Sequence, residues 1–272
     1  MSGTHGVVYR EWGDPAAERL VICCHGLTRN GRDFDFLAMR LAAMRMRVIC
    51  PDVVGRGRSD WLKDPVNYAY PQYLADMSAL IARLGEVRVD WIGTSMGGLI
   101  GMFLAAMPES PIRSLVLNDI GPMVPKSALE RIADYVGRDE GFGDLAALET
   151  YLRQVHASFG PLTDAQWNHL AAHSHRRRED GSYGLAYDPA IAVNVRQGVQ
   201  DWDLWPSWDQ IVCPVLVLRG EKSDLLSAAT AREMTERGPK AELVTLPGIG
   251  HAPALMDDAQ IDIVAKWLAR LD

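Results

Sequence analysis

A serine between glycines, an aspartate and a histidine follow one another along this chain, each just past a short apolar run. Residues of these types can activate a hydroxyl for attack on a carbonyl carbon. Gly93-Thr94-Ser95-Met96-Gly97 follows the apolar run 87–92 and opens a helix-like run at 98–107. A strand that turns at once into a helix strains the turn residue, and only small flanking residues let the neighbouring backbone pass so closely. The turn lifts the serine hydroxyl above the sheet edge, and the new helix aims backbone N–H groups at charge forming on a substrate oxygen. A serine alone is a poor nucleophile at neutral pH and needs a base, with a carboxylate to hold that base in the right tautomer. Asp224 lies beyond the run 215–218, and His251 lies beyond the run 243–246. Ser95, Asp224 and His251 are thus the candidate catalytic residues. Asp119 also ends an apolar run and is the alternative acid, with Glu221 a weaker rival in the Asp224 loop.

The elements that must position these groups read as an α/β fold. Short apolar runs at 20–24, 47–50, 87–92, 114–117, 215–218 and 243–246 alternate with amphipathic runs at 34–44, 72–84, 96–107, 228–236 and 259–271. Near-continuous apolar strands separated by helices predict a mostly parallel central sheet with helices on both faces. Ligands of such sheets bind at the carboxyl ends of the strands, where all three candidates fall. The alternation stops after Asp119 and resumes at Cys213. The stretch between, 121–205, shows helical patterns at 127–136, 145–158 and 164–175 and no clear strand, which predicts a helical cap over the site. The expected domains are a core of 1–120 and 206–272 and a cap of 121–205.

Composition narrows the partners. The 272 residues include 28 basic and 35 acidic ones, a net charge of −7, which disfavours nucleic acid and anionic membrane surfaces and favours a small-molecule partner. Residues 1–12 lack a secretory pattern and no apolar run approaches roughly 20 residues, so a cytoplasmic protein is expected. Cys23, Cys24, Cys50 and Cys213 lie in strand-like runs without C-x-x-C spacing and read as buried, reduced thiols. On a strand, Cys23 and Cys24 face opposite sides. Neither 55–57 nor 93–98 completes a dinucleotide or Walker pattern, so no cofactor is expected. His169 and His173 have the i, i+4 spacing of a metal pair, but no H-E-x-x-H is present and three arginines, Arg176 to Arg178, follow His175. A solvated helix without metal is the expectation there. Trp202, Trp205 and Trp208 read as packing where the cap rejoins the core, with an apolar pocket wall as the alternative.

With G-x-S-x-G, an upstream His25-Gly26, Ser223-Asp224 and Gly250-His251 in order at strand ends, the chain resembles the α/β-hydrolase family, as a serine esterase-like member with a helical cap. The run Pro51 to Ser59 also resembles that family's turn after the next strand. The resemblance implies a cap inserted after the sixth strand and an oxyanion hole from the backbone N–H groups of Leu27 and Met96. It also favours Asp224 over Asp119, the commoner position for the family's acid. Asp119 is then read as a strand-end residue bonded to the Gly121-Pro122 turn, and His25 as a brace for the oxyanion loop. The implied activity is cleavage of a carboxylic ester with a small or medium acyl group through an acyl-enzyme. Thioester, lactone or hydroxyalkanoate oligoester hydrolysis, carbon–carbon cleavage, acyl transfer and non-catalytic ligand binding are the alternatives. Serine at 95 argues against relatives that use an aspartate nucleophile. Ala252-Pro253 after His251, where ring-fission hydrolases usually carry a tryptophan, argues against carbon–carbon cleavage.

Overall fold

The computed structural model describes residues 4–85 and 88–271. The amino-terminal part runs β1 (Tyr9–Trp12), β2 (Leu20–Cys24), α1 (Asp35–Ala43), β3 (Arg47–Pro51), α2 (Tyr70–Leu84), β4 (Val89–Thr94), α3 (Met96–Ala105) and β5 (Ile112–Asn118). The expected start of β4 at Val87 lies outside the described residues. A long excursion follows: β6 (Met123–Val124), α4 (Lys126–Tyr135), α5 (Leu145–Val155), α6 (Asp164–His173), β7 (His175–Arg177), β8 (Tyr183–Leu185), α7 (Ala192–Gln197), β9 (Trp202–Asp203) and α8 (Trp205–Trp208). The chain then completes the sheet with β10 (Val215–Gly220), α9 (Ala228–Glu236), β11 (Glu242–Leu246) and α10 (Asp258–Ala269).

Seven strands form one sheet in the order β1-β3-β2-β4-β5-β10-β11. Only the edge strand β1 is antiparallel to its neighbour; the other five pairings are parallel. The α/β class with a mostly parallel sheet is therefore as the sequence predicts. Because alternate strand residues point to opposite faces, the sheet separates two cores. Ile22, Cys24, Trp91, Leu115 and Val217 join α2, α3 and α9 on one face. Val21, Cys23, Ile92, Val116 and Leu218 join α1 and α10 on the other. Cys23 and Cys24 thus face opposite sides, and all four cysteines are buried and free.

Two expectations about the excursion need correction. It leaves the sheet after β5, the fifth strand in chain order, and not after a sixth. It also contains strands: β6 pairs with β9 and β7 with β8, both antiparallel. The β7–β8 turn contains Asp180-Gly181, with Gly181 at φ 82°. An Asp-Gly pair suits such a hairpin because glycine adopts that backbone freely. The ladders are only two and three residue pairs long, too short for an alternating pattern to stand out. No helix among the described residues is long and apolar enough to cross a membrane.

Candidate active site

Ser95 sits between β4 and α3 at φ 50° and ψ −114°, a conformation that L-residues avoid. The flanking glycines make it sterically possible. A Cβ on Gly93 would lie 2.3 Å from the Gly97 carbonyl oxygen, and one on Gly97 would lie 2.0 Å from that of Cys24. Two neighbouring bonds hold the turn: Ser95 N–H donates to the Asn118 carbonyl at 3.1 Å, and Asn118 Nδ2 donates to the Pro253 carbonyl at 2.8 Å. The ends of β4 and β5 and the loop after His251 are thereby tied together.

A continuous hydrogen-bond chain leads from the hydroxyl inward. His251 Nε2 lies 3.0 Å from Ser95 Oγ, and His251 Nδ1 lies 2.8 Å from Asp119 Oδ2. An ionised carboxylate only accepts, so Nδ1 carries the proton and Nε2 is left to accept from the serine. Asp119 is fully buried. Its Oδ2 also accepts from Ser223 Oγ at 2.6 Å and its Oδ1 from Gly220 N–H at 2.8 Å. Ser158 Oγ donates to the His251 carbonyl, tying the histidine loop to the excursion.

Asp224 does not take part in this chain. Its side chain is 48% exposed and holds Arg131 of α4 through two bonds, 2.5 and 3.0 Å long. Asp119 occupies the position expected of Asp224, and its contacts are to His251, Ser223 and Gly220, not to the turn that follows it. Parallel pairing of β5 with β10, Asn118 against Leu218, explains the exchange. Asp119 leaves β5 with φ 58° and donates its N–H to the Leu218 carbonyl, which turns its carboxylate toward the histidine. In the loop after β10, Ser223 bonds to Asp119, whereas Asp224 turns out to Arg131. Glu221 accepts from Gly248 N–H at 2.8 Å and is exposed.

His25 braces the loop after β2. Its Nδ1 donates to the Gly26 carbonyl at 2.7 Å, and its Nε2 accepts from Val53 N–H at 2.9 Å. Burial pushes its pKa down to about 4, so the ring is neutral. His156 is a buried histidine that carries no motif and that sequence reasoning missed. It stacks on Phe159 at 4.5 Å, and burial, then the charges of Arg29 and His251, push its pKa well below the usual range.

His169 and His173 are half-buried on α6, a helix with one exposed side. Helix α6 ends at His173 and His175 belongs to β7. Ligand atoms of His169, His173 and the buried Asp35 lie within 4.8 Å of one another. Arg32 already supplies a cation there, donating Nε to Asp35 Oδ2 at 2.6 Å. Burial and Arg32 lower the His173 pKa to about 4.

Ser95, Leu27 and Met96 line one side of a cavity of about 300 Å³. Met96 is the first residue of α3, so its N–H has no acceptor within the helix. The excursion lines the facing wall with Val124, Leu129, Ile132, Ile191, Asn194 and Trp202. Of the three tryptophans, Trp205 and Trp208 pack edge to face with centroids 6.4 Å apart, whereas Trp202 faces the cavity. The packing and pocket readings thus hold for different residues.

The sequence profile described as the alpha/beta hydrolase family matches residues 21–266. The chain belongs to this family. It is a hydrolase, and two curated relatives match 98% and 85% of its length. It is 48% identical to the 3-hydroxybutyrate-oligomer hydrolase of Cupriavidus necator, over 98% of this chain and 94% of that one. It is 30% identical to the 2-(acetamidomethylene)succinate hydrolase of Mesorhizobium japonicum, over 85% of this chain and 81% of that one. Among solved structures, an alpha/beta hydrolase from Novosphingobium aromaticivorans superposes with a TM-score of 0.89 at 42% identity, covering 99% of this chain and 95% of that one. The carboxylate bonded to His251 follows β5 here, where the sequence reading expected it after β10.

Proposed function

We propose that this protein hydrolyses carboxylic esters of small hydroxy acids, with short 3-hydroxybutyrate oligoesters as the leading substrates, through an acyl-enzyme on Ser95. The observation that carries this reading is the Ser95–His251–Asp119 hydrogen-bond chain opening on an apolar cavity. His251 Nε2 takes the hydroxyl proton as Ser95 Oγ bonds to the ester carbonyl carbon. The resulting oxyanion accepts from the N–H groups of Leu27 and Met96, and Asp119 balances the imidazolium. Collapse expels the alcohol, which takes the proton from His251. Water then repeats the sequence and frees the acid and Ser95.

We read segment 121–205 as a cap that selects the substrate. About 300 Å³ is at the small end of ligand pockets, which suits a short acyl chain better than a long lipid. Asn194 lines this cavity, and its Nδ2 already donates to the Val66 and Tyr68 carbonyls at 2.9 Å each. Its amide oxygen has no donor among the described residues and suits the hydroxyl of a hydroxyacyl group. The 48% identity to a 3-hydroxybutyrate-oligomer hydrolase supports the same choice. The test is turnover of 3-hydroxybutyrate dimer and trimer beside p-nitrophenyl esters of graded length, for wild type and Ser95→Ala. Loss of turnover and of fluorophosphonate labelling in the variant is expected. Retained turnover in Ser95→Ala, or wild-type protein inert toward every ester, would overturn the proposal.

A further inference from the structure

Arg56, in the turn after β3, is completely buried. Its Nε donates to the Leu27 carbonyl at 2.9 Å, and its Nη1 donates to the Val54 carbonyl at 2.8 Å and to the Tyr73 hydroxyl at 3.0 Å. Its Nη2 lies 3.7 Å from Met96 Sδ, and the guanidinium stands 5.1 Å from the centre of the Tyr73 ring. Among the described residues it forms no ion pair. The carboxylate of Asp188 is bonded instead to the Tyr68 hydroxyl, at 2.5 Å. A buried charge without a counter-ion is destabilising by several kcal/mol unless its hydrogen bonds compensate, and an apolar side chain of the same shape avoids that cost. Stability alone therefore does not account for an arginine at this position.

Its contacts converge on the two residues assigned above to the oxyanion. Each peptide plane carries its C=O and N–H pointing in opposite directions. The plane joining Gly26 to Leu27 is fixed through its carbonyl, which accepts from His25 Nδ1 at 2.7 Å and Arg29 N–H at 3.1 Å. Leu27 N–H belongs to that plane and points the other way. The next plane, Leu27 to Thr28, is fixed through its own carbonyl, by Arg56. The same guanidinium touches Met96 at the start of α3.

We infer that Arg56 is a positioning residue for the oxyanion hole: it holds the Leu27–Thr28 peptide, next to the plane that bears the Leu27 N–H, against the first turn of α3 and adds a positive charge without an ion pair beside Leu27 and Met96. Preorganised donors and charges in a water-poor site act on the transition state more than on the bound substrate. This inference rests on the Ser95 reading of the active site.

The test uses Arg56→Met and Arg56→Lys in the full-length protein with p-nitrophenyl butyrate. For Arg56→Met, kcat falls roughly 30- to 100-fold, less than the 10²–10³ for removing a donor outright, because the Leu27 N–H remains. KM stays within about threefold, since the lost interaction acts on the transition state. The inhibition constant of butylboronic acid, which mimics the tetrahedral oxyanion, rises by the same factor as kcat falls. Arg56→Lys keeps the charge and loses the planar clamp, and recovers part of the loss. A folded Arg56→Met with kcat within threefold of wild type, or with its loss carried by KM, overturns the inference. Should Arg56→Met fail to fold, Arg56→Lys decides: wild-type kcat and boronate affinity in that variant overturn the clamp. Turnover retained in Ser95→Ala sinks the underlying site instead, so the two failures are distinguishable.

Discussion

Replacing each of the two aspartates by its amide separates the two possible acids. In Asp119→Asn one oxygen becomes an NH₂ group. Oδ2 now accepts from both His251 Nδ1 and Ser223 Oγ, and Oδ1 accepts from Gly220 N–H. An amide with its nitrogen at Oδ2 meets His251 as a donor and drives the imidazole to the tautomer whose Nε2 carries the proton and cannot accept from Ser95. With its nitrogen at Oδ1 it opposes Gly220 N–H inside the fold. The lost negative charge also leaves the imidazolium of the transition state unbalanced. A charge-assisted hydrogen bond contributes about 1.5–3 kcal/mol, and the tautomer penalty adds to it. The total is about 4–5.5 kcal/mol, or a fall in kcat of roughly 10³–10⁴-fold. Asp224→Asn breaks only an exposed pair with Arg131, 48% and 44% accessible. It leaves kcat within about twofold and costs at most about 1 kcal/mol of stability. The assay is initial-rate hydrolysis of p-nitrophenyl butyrate, with urea unfolding of both variants. An Asp119→Asn enzyme within tenfold of wild type, or an equal loss in Asp224→Asn, would refute the reasoning.

Other outcomes follow from the same geometry. Gly97→Ala drives a methyl to 2.0 Å from the Cys24 carbonyl oxygen; the overpacking costs about 3 kcal/mol, a fall of roughly 6–12 °C in Tm by calorimetry, and an unchanged Tm would contradict the close approach. Asn194→Leu lowers the preference for hydroxybutyryl over butyryl esters by about tenfold, the equivalent of one hydrogen bond; equal losses on both esters would remove its proposed role. Because the pKa of His25 is held down at about 4, the unfolded chain binds that proton first as pH falls below about 6.5. Stability therefore declines between about pH 6.5 and 4, by roughly 3 kcal/mol for this group. Urea midpoints across that range should show the decline, and His25→Asn should lessen it, the lowered pKa values of His156 and His173 accounting for part of the remainder.

Much of the fold and part of the site were legible in the sequence. Buried parallel strands must be apolar along their whole length, so β2, β3, β5 and β10 stand out from the surrounding chain. Ser95 was legible because its strained turn demands the glycines at 93 and 97, and His251 because it follows the last strand. The acid was not, since Asp119 and Asp224 both follow strands, and which one reaches the histidine depends on how β5 and β10 are set side by side. Ser223 and Asp224 lie in an irregular loop, where neighbours need not alternate, so no local pattern decides between them. Apart from the neighbouring Val54, the partners of Arg56 come from elements distant in sequence, and no spacing along the chain reveals them.

With Asp119 as the proposed acid, the loop after β10 has no chemical duty. The ends of β4, β5 and β11 carry the three residues of the proposed relay. Ser223 of the β10 loop lends it a hydroxyl, and Gly220 at the end of β10 a backbone N–H. The outward carboxylate of Asp224 can then serve as a tether, fastening α4 to the core through Arg131. The excursion starts immediately after Asp119 and is held again by this tether, which, unlike the Ser158 bond to the His251 carbonyl, touches none of the three residues of the proposed relay. Because α4 carries Leu129 and Ile132 of the cavity wall, substitutions at the tether act on that wall and leave Ser95, His251 and Asp119 untouched.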